Sequence, residues 1–219
     1  MKEWRAMYEQ LKKELYEAHL NLEKYRLVAY TSGNVSVRID KHVIIKPSGV
    51  SYDKLKAEDM VVIDLEGKVV EGILKPSVDS ATHLYLYKQL EDVKSIIHTH
   101  SPYASSFALL NQALPVYSTA HADVFGTEIP VSNYAPVGSE AIGKAVIQVV
   151  NQARAVLLSK HGVIVMGKDI SEAVRKAIFL EEVAQTAYLA KTMGNPQPLD
   201  KEEAERLFEF HHSHYGQTK

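Results

Sequence analysis

Two histidines stand one residue apart in Ser95-Ile96-Ile97-His98-Thr99-His100, and a third, His161, follows the β-type run Ala155-Val156-Leu157-Leu158. On a strand, side chains two residues apart face the same way, so His98 and His100 are spaced to share one metal ion. His161 can add a third ligand from another strand. Three protein ligands with a fourth position open characterise a catalytic zinc rather than a structural one. The same residues also fit a plainer role, as buried imidazoles satisfied by hydrogen bonds, because nothing local shows that the two segments meet.

Two carboxylates add to the set, each with two readings. Asp79, in Lys75-Pro76-Ser77-Val78-Asp79-Ser80, stands where a helix opens. It can complement the helix dipole or cap the helix, as Ser77 can, or it can serve a metal as ligand or base. Asp123 falls in a loop-like stretch near Gly126, as a general acid or base or as a turn-capping group. Gly33-Asn34 and Ser48-Gly49 are turns by composition, and their backbone N–H groups and short polar side chains suit a phosphate, with Lys46 adding charge. Tyr215 stands near the chain end, where residues are inert by default.

The elements that must position these groups follow from periodicity. Apolar residues at Trp4, Met7, Leu11, Leu15 and Leu22 predict a helix over about 2–25. Strands are expected at 35–39 and 42–45, with a turn at 46–49, and a hairpin joins 60–63 to 68–70 about Glu66-Gly67. A helix opens near Pro76 and runs to about residue 90. The histidine-bearing strand spans 94–98, and helices are expected at 104–110, 139–151, 170–193 and about 200–210. Strands at 155–159 and 163–166 flank His161. Several strands are joined by short turns rather than helices, which argues for a mixed or largely antiparallel sheet with helices packed on it.

At 219 residues, without repeats or a linker, the chain reads as one domain spanning 1–219. A formal charge of −2 carries no footprint for nucleic acid or an acidic membrane. Zero cysteines exclude disulfides, thiolate metal sites and cysteine nucleophiles. The charged N-terminus lacks the pattern of a signal peptide and no window is long and apolar enough to span a bilayer, so a cytoplasmic location is expected.

Read together, the segments form an ordered series: Thr31-Ser32-Gly33-Asn34-Val35-Ser36, Ile45-Lys46-Pro47-Ser48-Gly49-Val50, Lys75-Pro76-Ser77-Val78-Asp79, His98-Thr99-His100-Ser101, His121-Ala122-Asp123, Lys160-His161-Gly162 and Tyr215-Gly216-Gln217. Over nearly the whole chain this series resembles the class II aldolase and L-ribulose-5-phosphate 4-epimerase family. Asp79 and the C-terminal Tyr-Gly-Gln are most similar to its epimerase members; the related fuculose-phosphate aldolases usually carry Glu at the first position.

The resemblance implies an α/β fold, a three-layer α/β/α single domain with a central, mainly antiparallel sheet. It implies Zn2+ held by His98, His100 and His161, with Asp79 at the fourth position. It implies epimerisation at C4 of L-ribulose 5-phosphate to D-xylulose 5-phosphate, by a retro-aldol cut between C3 and C4 and re-addition to the other face of the aldehyde. Asp123 and Tyr215, the latter from a neighbouring subunit, match the acid/base pair, and Asn34, Lys46, Ser48, Gly49 and Ser77 match positions near the phosphate and the enediolate. The expected partners are a small phosphorylated sugar and copies of the same chain, in a homotetramer with active sites between subunits. A sugar-phosphate aldolase or decarboxylase on the same scaffold is the nearest alternative, and a non-catalytic interaction domain, as in adducin, a remoter one. One departure stands out: where the family often has two serines, this chain has Ser77-Val78. Losing one net hydrogen bond there weakens phosphate binding by about 1 kcal/mol. The chain is also shorter than the family pattern between His211 and Tyr215.

Overall fold

Val35 and Val37 point to one face of their strand and Asn34 and Ser36 to the other, and that alternation sets the architecture. The computed structural model describes residues 2–214. Eight strands form one sheet: β1 (Asn34–Ile39), β2 (His42–Ile45), β3 (Val61–Asp64), β4 (Val69–Glu71), β5 (Ser95–Thr99), β6 (Val131–Ser132), β7 (Ala155–Leu158) and β8 (Val163–Gly167). Their spatial order is β4-β3-β2-β1-β5-β8-β7-β6, antiparallel throughout except for the parallel β6–β7 pair. The fold is thus a single α/β domain in three layers, as the resemblance implied.

The helices are α1 (Lys2–Lys24), α2 (Ser80–Gln89), α3 (Pro102–Leu109), α4 (Thr119–Phe125), α5 (Ala141–Ile147), α6 (Ile170–Met193) and α7 (Lys201–His214). One face of the sheet, carrying Val35, Val37, Ile97, Val163 and Val165, packs against α1, α3, α4 and α6 through Leu15, Leu22, Phe107, Phe125 and Leu180. The opposite face, carrying Ile96, Val156, Ile164 and Met166, packs against α2 and α5 through Leu84, Leu86, Ile142 and Val146. Burying a side chain of this size stabilises the fold by about 1.5–3 kcal/mol, so both layers are held firmly behind the site. The helix α7 lies against α4, with Ala122 and Ala204 at their seam. No helix among the described residues is long and apolar enough to cross a membrane.

The structure corrects several sequence expectations. Asp123 lies within α4 and not in a loop. Ser118 accepts a hydrogen bond from His121 N at the start of this helix, and Gly126, left-handed at φ 69°, ends it. Seven residues are too few for helical periodicity to show. The strand β6, at two residues, is likewise too short to leave a pattern, and α7 continues past 210 to His214. The helix expected at 139–151 narrows to Ala141–Ile147.

Candidate active site

The strand β5 is flanked in the sheet by β1 and β8, although β1 lies some sixty residues earlier in the chain. Register places Asn34 of β1 and Ile164 of β8 directly beside His98. These three side chains therefore share one face, the one covered by α2 and α5. His98 is buried, and its Nδ1 donates to the Val163 carbonyl at 2.9 Å, because a carbonyl can only accept. That bond fixes the tautomer and leaves a bare lone pair on Nε2.

β5 ends at Thr99, so His100 lies just past the strand, outside the expected span of 94–98 as well. It nevertheless converges on its neighbour, with His100 Nε2 3.0 Å from His98 Nε2. His161 arrives from the turn between β7 and β8. Its ring centroid lies 4.8 Å from that of His98 and 5.0 Å from that of His100. The ligand atoms of all three lie within 4.8 Å of one another. The imidazoles grade from buried (His98) through half-buried (His161) to exposed (His100), so the cluster is anchored in the sheet and open to solvent on one side.

The turn bearing His161 is tied down by its backbone. His161 N donates to Leu158 O, Leu158 N to Gly162 O, and the Lys160 ammonium to Leu109 O at the end of α3. Gly162 permits a close approach. A Cβ there would run into the Thr99 carbonyl and come within 2.7 Å of His100 Cδ2.

Asp79 occupies the N-cap position of α2 but makes no side-chain capping bond. Its carboxylate instead accepts from Asn34 Nδ2 at 2.7 Å. The same amide nitrogen reaches Ser77 Oγ at 3.2 Å, while Asn34 Oδ1 is buried with no hydrogen-bond partner among the described residues. Because Asn34 neighbours His98, this bond turns Asp79 toward the histidines. Asp79 belongs to the same cavity but not to the tight three-histidine cluster.

The electrostatics favour neutral imidazoles, the state that binds a metal. Burial pushes His98 down to about 3, against the opposing pull of Asp79, and lowers His100 and His161 in the same way. For Asp79, burial acts to raise the carboxyl, but His98, His83 and the Asn34 hydrogen bond outweigh it and hold the group below the ordinary carboxylate range.

The cavity in front of the histidines measures about 340 Å³. Besides His98, His100, His161, Asn34 and Asp79, it is lined by Lys46, Ser48, Gly49 and Ser77, so these expected site residues are gathered in one place. Lys46 behaves differently from a simple surface cation. Its buried ammonium donates to the carbonyls of Val50 (2.7 Å), Thr31 (3.3 Å) and Pro47 (3.4 Å) and lies 5.4 Å from the Tyr52 ring centroid. Burial lowers it to about 8. All three of its donor hydrogens face backbone, and the loops at 31–33 and 47–50 are stitched together through it. Tyr52 completes the stitch by donating to Ser32 O at 3.0 Å.

Asp123 is not among the groups lining this cavity. It sits half-buried on α4, with His211 Nδ1 of α7 at 3.8 Å from its carboxylate. Tyr215 lies outside the described residues. The sequence reading missed Tyr52 and His83, whose one trace was the Asp79-x-x-x-His83 spacing that stacks two side chains on successive helical turns.

The three-histidine cluster suits a resident divalent ion. A tetrahedral ion with metal–nitrogen bonds of about 2.0–2.1 Å needs nitrogens about 3.3 Å apart, close to the spacing of His98 and His100. His161 Nδ1, moreover, is buried and has no partner among the described residues. Residues 13–188 match the model of the Class II Aldolase and Adducin N-terminal domain. The chain belongs to that family. Among solved structures, an L-fuculose 1-phosphate aldolase is 33% identical, over 91% of this chain and 95% of that one, with a TM-score of 0.84. YgbL from Klebsiella pneumoniae, described as an aldolase/epimerase/decarboxylase, is 27% identical over 91% and 98%, with a TM-score of 0.80. The l-fuculose-1-phosphate aldolase of Thermus thermophilus is 25% identical over 85% and 98%, with a TM-score of 0.74. Family membership carries metal-dependent sugar-phosphate aldolase or epimerase chemistry as the coarse function.

Proposed function

We propose that the protein is a zinc-dependent epimerase that inverts C4 of L-ribulose 5-phosphate to give D-xylulose 5-phosphate. The observation that carries this reading is the Asn34–Asp79 hydrogen bond of 2.7 Å, which holds a short carboxylate beside three convergent imidazoles. The C4–H has no adjacent carbonyl, so its direct removal is unfavourable. Breaking C3–C4 instead divides the sugar into a dihydroxyacetone unit and glycolaldehyde phosphate, and re-forming the bond on the other aldehyde face inverts C4.

His98, His100 and His161 would hold the ion, with Asp79 as an exchangeable fourth ligand or a base. When bound, a divalent ion there supplies Lewis-acid stabilisation of the negative charge left on the three-carbon half. Asn34 aims Asp79 and keeps its own Oδ1 for a substrate hydroxyl. Ser48, Gly49 and Ser77 offer donors to the phosphate, with the Lys46 charge behind them. Asp123 and Tyr215 are assigned to the C4 hydroxyl proton, one on each side of the aldehyde.

A sugar-phosphate aldolase is the second reading, favoured by the 33% identity to an L-fuculose 1-phosphate aldolase. The zinc-loaded protein should be incubated with L-ribulose 5-phosphate, and D-xylulose 5-phosphate and glycolaldehyde phosphate quantified together. Xylulose phosphate without accumulated fragments is expected. Stoichiometric glycolaldehyde phosphate and dihydroxyacetone would make the protein an aldolase, and an inert sugar would remove the epimerase assignment.

A further inference from the structure

Behind the cavity, polar side chains continue into the interior. On α2 and its cap, Asp79, His83 and Tyr87 recur every fourth residue and form one stripe. On β1, Asn34 and Ser36 share the facing side. Three hydrogen bonds join the stripe to the strand: Asn34 to Asp79 at 2.7 Å, Ser36 Oγ with His83 Nδ1 at 2.7 Å, and Ser36 Oγ with the Tyr87 hydroxyl at 2.8 Å. Ser36, His83 and Tyr87 are fully buried, and none of them lines the cavity.

His83 is kept there at a cost. Its Nε2 is buried without a hydrogen-bond partner among the described residues. A leucine would fill similar space and strand no polar atom. The imidazole is therefore retained for what Nδ1 does, which is to bind Ser36 one helical turn beyond Asp79. That bond ties α2 to β1 between the Asn34–Asp79 and Ser36–Tyr87 contacts, one turn from the point where the helix delivers Asp79 to the histidines.

We propose that His83 is a positioning residue: by bonding Ser36 it locks α2 onto β1, and through that lock it keeps the Asp79 carboxylate aimed at the three-histidine cluster. The inference rests on the reading of Asp79 as part of the metal-site chemistry.

The test uses the intact protein and Co2+ as the probe, with its dissociation constant and visible absorption as readouts. His83→Leu removes the Ser36–His83 bond alone, and Ser36→Ala removes it together with the bond to Tyr87. His83→Asn keeps it, since the asparagine amide can occupy the position of Nδ1. His83→Leu should weaken Co2+ binding roughly tenfold and alter its absorption, Ser36→Ala should do so at least as strongly, and His83→Asn should keep both near the parental values. On the sugar substrate, kcat should fall about tenfold in the first two variants, with KM within about twofold. In an Asp79→Asn background, His83→Leu should have no further effect on Co2+.

Parental Co2+ affinity and absorption in His83→Leu would overturn the proposal. So would an equal loss in the Asp79→Asn background, a His83→Asn variant as impaired as His83→Leu, or an Asp79→Asn variant with parental Co2+ binding. The Co2+ measurement needs no sugar, so failure of L-ribulose 5-phosphate to react would strike the proposed function and leave this test standing.

Discussion

Lys46 illustrates how a single residue can shape a site without offering a free hydrogen to it. Its ammonium is bonded to the carbonyls of Val50, Thr31 and Pro47, so its influence on a phosphate is carried by charge and by the loops it joins. Burial sets its pKa at about 8, below the 10.5 of an unburied lysine, and this has two consequences of opposite sign. As pH rises through 8 the folded protein loses the charge, and KM for a sugar phosphate should increase. A unit charge acting over about 10 Å at an effective dielectric of about 20 amounts to about 1.7 kcal/mol for each charge on the phosphate, so the rise in KM should exceed tenfold. The phosphate itself is already dianionic above about pH 7 and does not obscure the effect. Stability should move the other way. Between about pH 8 and 10.5 the unfolded chain keeps a proton that the folded chain has released, so the contribution of Lys46 becomes more favourable as pH rises. Lys46→Met should flatten both profiles. A KM indifferent to pH between 7 and 9.5 in the parent would show that the Lys46 charge is not felt by the substrate.

The turn joining β7 to β8 is the element on which the metal cluster most depends. His161 is held there by a backbone that passes so close to β5 that residue 162 has no room for a side chain. Gly162→Ala should therefore push the turn away from Thr99 and His100, costing about 1–3 kcal/mol of stability, the usual range for overpacking. Metal affinity should fall more than the thermal shift alone explains, because His161 moves with the turn. Full metal content with an unchanged melting temperature would show that the turn relaxes freely. The strands beside this turn were legible as β-branched and apolar runs, and so was the histidine spacing on β5. What periodicity could not reveal is that β1 inserts itself next to β5, bringing Asn34 beside His98 and so Asp79 into the site. Local sequence favoured Asp79 as a complement to the helix dipole, and what turns its carboxylate into the cavity is a hydrogen bond to a residue 45 positions away. Short elements were lost for a different reason. The seven residues of α4 and the two of β6 are held by Ser118, Gly126 and a neighbouring strand rather than by an apolar repeat.

At the scale of the whole molecule, the cavity lacks one of the groups that the proposed chemistry requires. Asp123 is directed to the seam between α4 and α7, and it does not line the cavity of its own chain. The mouth of the cavity carries exposed Val78 (65%) and Val137 (63%), apolar groups that suit contact with a second protein surface. If Asp123 acts on the substrate, it reaches the histidines of an adjacent copy, and two inactive variants should then repair each other. His98→Asn removes the metal site and Asp123→Asn the acid/base group, so neither homo-oligomer should turn over. In a ring of head-to-tail contacts assembled from equal amounts of the two chains, about one site in four combines an intact histidine cluster with an intact Asp123. Mixed and reassembled protein should thus regain about a quarter of the parental activity. If native mass spectrometry shows that chains have exchanged and no activity returns, the sites do not straddle subunits in this way. Asp123 would then be confined to binding α7, and the proton at the C4 hydroxyl would need another carrier.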